Sequence, residues 1–274
     1  MTDPHSVDGR PAVDGPPGRS PRASSSLTTT KAVILAGGRG TRLAPYTSVL
    51  PKPLMPVGER AILEIVVEQL ARSGVESITL CVGYLSHLIR AVLDDRVADS
   101  VRIEYIQERH PLGTGAPLKL VPGLDETFLV MNGDVLTTLD YRELVRHHRE
   151  SGSVLTIATH ERKVKIDYGI VHVDGGDRIT SFDEKPEIVA AVSMGIYVME
   201  PAVLEHIPGE GPVDFPELVQ ALLHAGQAVS SYPYAGLWFD IGRQDDFQQA
   251  VEAWERDGAD WNGGPPAQHG PAAT

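Results

Sequence analysis

Cysteine is nearly absent from this chain, which has Cys81 alone in 274 residues. A single thiol excludes an internal disulfide and any metal site built from several cysteines. Its setting in the apolar run Ile78-Thr79-Leu80-Cys81-Val82 suits a small buried hydrophobe better than a nucleophile. Long apolar runs are missing as well. No stretch approaches the roughly eighteen uninterrupted apolar residues of a membrane span, and the N-terminus lacks the basic-then-apolar order of a secretory signal. The expectation is a cytoplasmic protein without a membrane partner. Positive charge is scarce too: 24 Lys and Arg stand against 37 Asp and Glu, a net charge of −13. That balance argues against nucleic acid as the main partner, because a phosphate backbone is held by a basic footprint.

The little positive charge present is unevenly placed. Residues 31–60 carry Lys31, Arg39, Arg42, Lys52 and Arg60 against the single acid Glu59. A local basic cluster inside an acidic protein suits a small polyanion. Within it, the strand-like run Ala32-Val33-Ile34-Leu35 empties into a loop holding Gly37, Gly38 and Gly40. Arg42 follows, then Lys52 between Pro51 and Pro53. In open α/β sheets ligands bind beyond the carboxyl ends of the strands, and glycines let backbone N–H groups approach an anion closely. Two common phosphate loops are nevertheless missing. The run Gly-x4-Gly-Lys-Ser/Thr does not occur, and the dinucleotide fingerprint needs a glycine where Leu43 stands, which disfavours a dehydrogenase. On its own the glycine loop fits a tight turn equally well.

Residues 1–30 and 258–274 are rich in small and polar residues with little apolar periodicity, and both are expected to be disordered tails. Between them, 31–257 reads as one domain. Strands at 31–36, 76–82, 101–106, 127–131 and 153–159 alternate with helices near 59–73, 86–94, 113–121 and 140–150. In the first helix Ile62, Ile65, Val66, Gln69 and Leu70 share a face and Gly74 marks the end. Alternation of this kind predicts an α/β, Rossmann-like fold: a mixed, mainly parallel sheet with helices on both faces and right-handed crossovers. The pattern changes at 168–199, where runs at 169–173, 178–183 and 192–199 follow one another without a helix. They are expected to form an antiparallel addition to the sheet that carries a site of its own. Helices near 201–206 and 214–224, a strand near 228–232, the segment Gly236–Gly242 and a helix near 243–256 complete the domain. His147-His148 has no Glu or Cys at ligand spacing and reads as a solvated pair on a helix.

The loop belongs to a longer composite pattern. Gly37-Gly38-Arg39-Gly40-Thr41-Arg42-Leu43, then Pro45, Thr47, Pro51-Lys52-Pro53 and Pro56-Val57, resembles the signature of the sugar-1-phosphate nucleotidyltransferases (nucleotide-sugar pyrophosphorylases). The resemblance continues through Asn132-Gly133-Asp134, Tyr168-Gly169, Glu184-Lys185-Pro186, Met194-Gly195-Ile196-Tyr197 and Trp238-Phe239-Asp240-Ile241-Gly242. It looks most like the short guanylyltransferase types acting on mannose or heptose phosphates. The hexapeptide-repeat domain of some members has no room in this chain. Relatives without that domain are often dimers, so a homodimer is the assembly to test.

The resemblance implies a reaction in which a sugar 1-phosphate oxygen attacks the α-phosphorus of a nucleoside triphosphate and releases pyrophosphate. Positioning and charge neutralisation should dominate such a barrier. Arg42 and Lys52 would be catalytic, gripping the leaving phosphates and steadying the reacting ones. Leu35, Ala36, Gly37, Gly38, Gly40, Thr41 and Gly133 would cradle the nucleotide, with Glu108, Gly113 and Thr114 at the base. Gly169, Glu184 and Lys185 would bind the sugar phosphate, and Asp134 and Asp240 would hold Mg²⁺. For the base, guanine's adjacent N1 and N2 donors suit the Glu108 carboxylate, whereas uracil and thymine suit an amide such as Gln107. GTP is therefore the expected triphosphate; UTP, dTTP or CTP, and a non-catalytic nucleotide-sugar-binding paralogue, are the alternatives.

Overall fold

The computed structural model describes residues 31–257 and Trp261, apart from 39, 98–100 and 109. The N-terminal tail, and the C-terminal one except Trp261, lie outside the described residues. The chain enters through β1 (Lys31–Ala36), passes the glycine loop and makes a short hairpin, β2 (Pro56–Val57) with β3 (Arg60–Ala61). α1 (Ile62–Arg72) follows. The hairpin takes up residues expected in this helix, because Pro56-Val57 supply an apolar edge for Arg60-Ala61 to pair with. β4 (Ser77–Val82), α2 (Ser86–Arg96) and β5 (Arg102–Gln107) complete the first half. β6 (Phe128–Asn132) and β7 (Val135–Thr137) flank Gly133-Asp134 and lead to α3 (Tyr141–Ser151).

β8 (Leu155–Lys165), β9 (Ile170–Val173), β10 (Ile179–Asp183) and β11 (Glu187–Met199) then run with no helix between them. α4 (Phe215–His224), β12 (Val229–Tyr234), β13 (Trp238–Asp240) and α5 (Gln244–Asp257) close the domain. The short helices expected at 113–121 and 201–206 are instead 3-10 turns, Ala116–Leu120 and Pro201–His206.

Seven strands form the central sheet in the order β12-β8-β11-β6-β1-β4-β5, and β11 alone runs antiparallel to its neighbours. β1 sits inside because it is apolar on both faces, as a covered parallel strand must be. Ala32, Ile34 and Ala36 pack into one core with α1, α2, α3 and α5, while Val33 packs into the other with α4 and the two 3-10 turns. Cys81 lies fully buried in that second core, and burial pushes its thiol pKa up to about 12. The expected inert thiol is what the fold contains.

The antiparallel addition is longer than its sequence suggests. β8 and β11 pair from Leu155↔Met199 out to Lys165↔Glu187, with an irregularity between Ser193 and Tyr197. Gly195 lies in that irregularity at φ +71°, where a side chain would strike the Asn132 amide. β9 and β10 form a separate two-stranded sheet. Most of this ribbon is exposed, so no buried face prints a two-residue period on its sequence.

His147-His148 divides rather than being solvated together. His148 is 1% exposed, with Nδ1 2.7 Å from Thr156 Oγ1 and Nε2 3.1 Å from Glu200 Oε1. Burial lowers its pKa, partly opposed by Glu200, and the ring braces α3 at the edge of the sheet away from the carboxyl ends of β1 and β6.

Candidate active site

β1 and β6 are neighbours, yet the chain leaves β1 towards β4 on one side and returns to β6 on the other. Their carboxyl ends therefore open a crevice at the point where the strand order reverses. A cavity of about 390 Å³ occupies it. Leu35, Ala36, Gly37, Gly38, Gly40, Thr41, Arg42, Lys52, Glu108, Gly113, Thr114 and Asp134 line this cavity, together with Pro53, Pro111, Asn132 and Gly242. Gly133 lies just beneath it, its N–H donating to Leu35 O at 2.9 Å and so binding the end of β6 to that of β1.

Lys52 sits on a 3-10 turn, Lys52–Leu54, whose flanking Pro51 and Pro53 restrict the backbone on both sides. Its side chain is 13% exposed, and its ammonium pairs with Asp134 and lies 3.6 Å from Asp240 Oδ1. Asp134 and Asp240 come from positions 134 and 240 of the chain, and a small sheet joins them. β13 pairs antiparallel with β7 in the register Asp240↔Val135, and Ile241 N donates to Asp134 O at 3.1 Å. Gly242 N in turn donates to Asp240 Oδ1 at 2.9 Å, which aims the carboxylate. Two carboxylates this close repel one another, and the Lys52 ammonium supplies the opposing charge.

The donor chemistry fits Mg²⁺, which takes one or two carboxylates and fills its remaining positions with phosphate oxygens and water. Among the described residues no group of three or more His, Cys, Asp or Glu forms a denser metal site. Arg42 lies on the 3-10 turn Thr41–Leu43, exposed at the cavity wall with no ion pair among the described residues. Its position follows from the loop geometry, since Gly40 takes φ +61° and Thr47 Oγ1 donates to Gly40 O at 2.8 Å.

Also on the cavity wall, the Glu108 carboxylate lies against Gly37, close enough that a side chain there would meet it. Leu112 N donates to Glu108 Oε2 at 3.3 Å. Burial raises the Glu108 pKa from its ordinary value, and the Leu112 N–H pulls the other way. Gln107 is placed differently: its Nε2 donates to Gly83 O at 3.2 Å and it does not line the cavity.

Several expected site residues are not gathered here. Gly169, Glu184 and Lys185 lie on the exposed ribbon and do not line the cavity. Glu184 and Lys185 face each other at 4.0 Å, 65% and 57% exposed, and the Phe182 ring covers Gly169 where a sugar was expected to approach. The basic cluster of residues 31–60 also divides. Lys31 bonds to the carbonyls of Pro122 and Gly123, and Arg60 pairs with Glu68. Only Arg42 and Lys52, among the described members, reach the cavity.

Sequence reasoning missed the supports. Arg162 makes two 2.8 Å hydrogen bonds to Asp246 and lies 5.0 Å over the Trp238 ring, while Trp238 Nε1 donates to Met194 O at 3.0 Å. The ribbon, α5 and the strand carrying Asp240 are thus locked together. Trp261 stacks on Phe239 at 5.8 Å, and its carbonyl accepts from Gln69 Nε2 at 2.8 Å. No local pattern marks either contact.

A sheet reversal, a glycine-walled cavity at it and two carboxylates close by define an open α/β protein with its cavity at the switch point of the sheet. The chain belongs to the nucleotidyl transferase family, whose model matches residues 31–257. It is 37% identical over 226 residues to a mannose-1-phosphate guanyltransferase of Aspergillus oryzae, covering 79% of this chain and 62% of that protein. It is 33% identical over 241 residues to a UTP–glucose-1-phosphate uridylyltransferase of Synechocystis, covering 81% and 62%. It therefore spans about 62% of the length of these relatives. Among solved structures, HddC from Yersinia pseudotuberculosis superposes with a TM-score of 0.65 at 25% identity, covering 82% of this chain and 100% of that one. That protein has also been solved with GMP-PN. Among the described residues, no helix is long and apolar enough to cross a membrane.

Proposed function

We propose that this chain transfers a nucleoside monophosphate, from GTP by preference, to a mannose- or heptose-type sugar 1-phosphate, giving a nucleoside diphosphate sugar and pyrophosphate in the cytoplasm. The observation that carries the reading is one cavity lined by Arg42, Lys52, Asp134 and Glu108 together, with Asp240, which does not itself line it, 3.6 Å from the Lys52 ammonium. An oxygen of the sugar 1-phosphate attacks the α-phosphorus as the bond to the β-phosphate oxygen breaks, and the electron pair leaves on pyrophosphate. A phosphate monoester dianion is already nucleophilic, so no side chain has to remove a proton.

The protein's contribution is charge and alignment. The Arg42 fork neutralises the departing β- and γ-phosphates. The Lys52 ammonium, held by stiff backbone, meets the charge redistributing at the α-phosphate. Asp134 and Asp240 would hold Mg²⁺, which when bound would add to the neutralisation of the phosphate oxygens. Gly169, Glu184 and Lys185 stay part of this proposal as the sugar-phosphate side, on a ribbon that would have to approach the cavity when substrate binds. A homodimer is its proposed assembly, measured by light scattering.

Glu108 supports guanine, because an ionised carboxylate accepts from N1 and N2 together. Two results are expected. Glu108→Gln raises KM for GTP about tenfold while changing KM for UTP little, as the loss of one charged hydrogen bond implies. KM for GTP also rises as the pH falls through the raised pKa of Glu108, since protonation removes an acceptor. This rise begins at a higher pH than for an ordinary carboxylate, and it is absent in Glu108→Gln. Equal losses for both bases, or a flat profile in the unmutated protein, would show that Glu108 does not read the base. The function itself is tested by pyrophosphate release, with each triphosphate crossed against hexose and heptose 1-phosphates in Mg²⁺. Release with UTP and glucose 1-phosphate would move the assignment towards the Synechocystis relative, and no release from folded protein with any pair would overturn the enzyme.

A further inference from the structure

Glu108, Pro111, Gly113 and Thr114 stand on the cavity wall, and beyond the Leu112 N–H to Glu108 contact the segment from Leu112 is held from outside. Its mould is the segment Val213-Asp214, which leads into α4 and lies 100 positions further along the chain. Val213 N donates to Leu112 O at 2.9 Å, and Val213 O accepts from Gly115 N at 2.7 Å and Ala116 N at 3.2 Å. One oxygen of Asp214, Oδ1, accepts from Thr114 N at 2.9 Å and from Thr114 Oγ1 at 3.2 Å. The Thr114 hydroxyl then accepts from Phe215 N at 2.9 Å. Asp214 is also the N-cap of α4, in a capping box in which its own N–H donates to Glu217 Oε2 at 3.0 Å. Gly113 sits inside this clasp at φ +79°, where a Cβ would lie 2.6 Å from Val213 O and 2.8 Å from Asp214 Oδ1.

We infer that Asp214 is a positioning residue for nucleotide binding: it clamps Thr114, sets the Leu112–Thr114 backbone, and through Leu112 N–H keeps the Glu108 carboxylate aimed into the cavity. This rests on the proposed base-reading role of Glu108. The physical ground is that both hydrogen-bond donors of Thr114, a residue of the cavity wall, are already taken. Its N–H and its hydroxyl proton are both committed to Asp214, so Thr114 shapes the wall instead of gripping the ligand through those donors. Gly113 conforms for the same reason, since only a residue without Cβ lets the loop lie this close to Val213. Asp214 carries a charge, and hydrogen bonds to an ionised acceptor are stronger than neutral ones. Its contacts are therefore a charge-assisted fastening between the base loop and α4.

The test compares Asp214→Ala with Asp214→Asn, using whichever triphosphate supports pyrophosphate release. Titration calorimetry measures triphosphate affinity, and steady-state kinetics separate kcat from the two KM values. Asp214→Ala is expected to weaken the triphosphate about tenfold, the loss appropriate to two hydrogen bonds that hold the loop. KM for the sugar phosphate and kcat at saturation should change less than about twofold. Asp214→Asn keeps the Oδ1 acceptor and should recover most of the affinity. Thr114→Val removes only the hydroxyl's part of the clasp and keeps the Thr114 N–H to Asp214, so it should cost less than Asp214→Ala, and the double variant should lose less than the two single losses added.

A purely structural cap would give another pattern: a lower Tm with both KM values and kcat moving together, or unaltered triphosphate affinity. Either result overturns the inference. Its failure is distinguishable from failure of the base-reading role. Unaltered base preference in Glu108→Gln overturns that role alone, whereas unaltered triphosphate affinity in Asp214→Ala overturns only the role of Asp214.

Discussion

Lys52→Ala should lose turnover by a factor of about 10² to 10³, and at the same time bind a divalent cation more tightly when no nucleotide is present. The two effects have one cause. The Lys52 ammonium stands against Asp134 and 3.6 Å from Asp240, where it already answers the charge of both carboxylates. A metal ion entering alone must displace or share that charge, whereas one arriving with a triphosphate brings phosphates for the lysine to move to. Without Lys52, Asp134 and Asp240 face each other uncompensated, and a cation relieves their repulsion directly. Mn²⁺ binding followed by electron paramagnetic resonance in nucleotide-free protein reads the second effect, and pyrophosphate release reads the first. Unchanged Mn²⁺ affinity would show that Lys52 does not compete for the cation position. Near-normal turnover would remove it from the reaction.

Asp134→Asn is expected to lower turnover by a similar factor, about 10² to 10³, with the opposite effect on the cation. One of two carboxylates is lost, and the Lys52 ammonium is left with Asp240 alone, which is 40% exposed and less able to hold it. Mn²⁺ affinity in the nucleotide-free protein should fall well below that of the unmutated chain. Removing one partner of a largely buried pair also destabilises, here on the order of 2 kcal/mol, because water reaches Asp240 and moderates the charge left behind. Asp240→Asn should destabilise less, since its contact with Lys52 is longer and wetter. Equal Mn²⁺ binding in Asp134→Asn and the unmutated protein would exclude Asp134 as a ligand. A stable but inactive Asp134→Asn protein would separate its chemical role from its structural one.

The elements of the first half were legible because they are buried: strands covered on both faces read as short apolar runs, and the first helix shows its stripe at helical spacing. β1, α1, β4 and β6 all follow their patterns closely. The ribbon of β8 and β11 was cut short in the sequence reading because its outer part is exposed, and Lys163, Lys165 and Glu187 carry no inward stripe. β7 and β13 were missed as strands since each has only three residues. They nonetheless bring Asp134 and Asp240 together. His148 looked solvated because its partners, Thr156 and Glu200, are not its neighbours in sequence.

The residues themselves carried the glycine loop, the basic residues after it and the exclusion of the commoner nucleotide loops, which are local matters of residue type and near spacing. The roles expected for Arg42, Lys52, Asp134 and Asp240 came instead from the resemblance to a family signature. Only the tertiary structure decided that Lys52 lies between the aspartates, that Lys31 and Arg60 belong elsewhere, and that Asp214 clasps the base loop. Each of these depends on side-chain groups meeting across tens of residues, and strand order and register set those meetings. The sheet reversal between β1 and β6 is the physical reason the loop became a cavity, because two adjacent strands whose connections depart in opposite directions leave their shared end open.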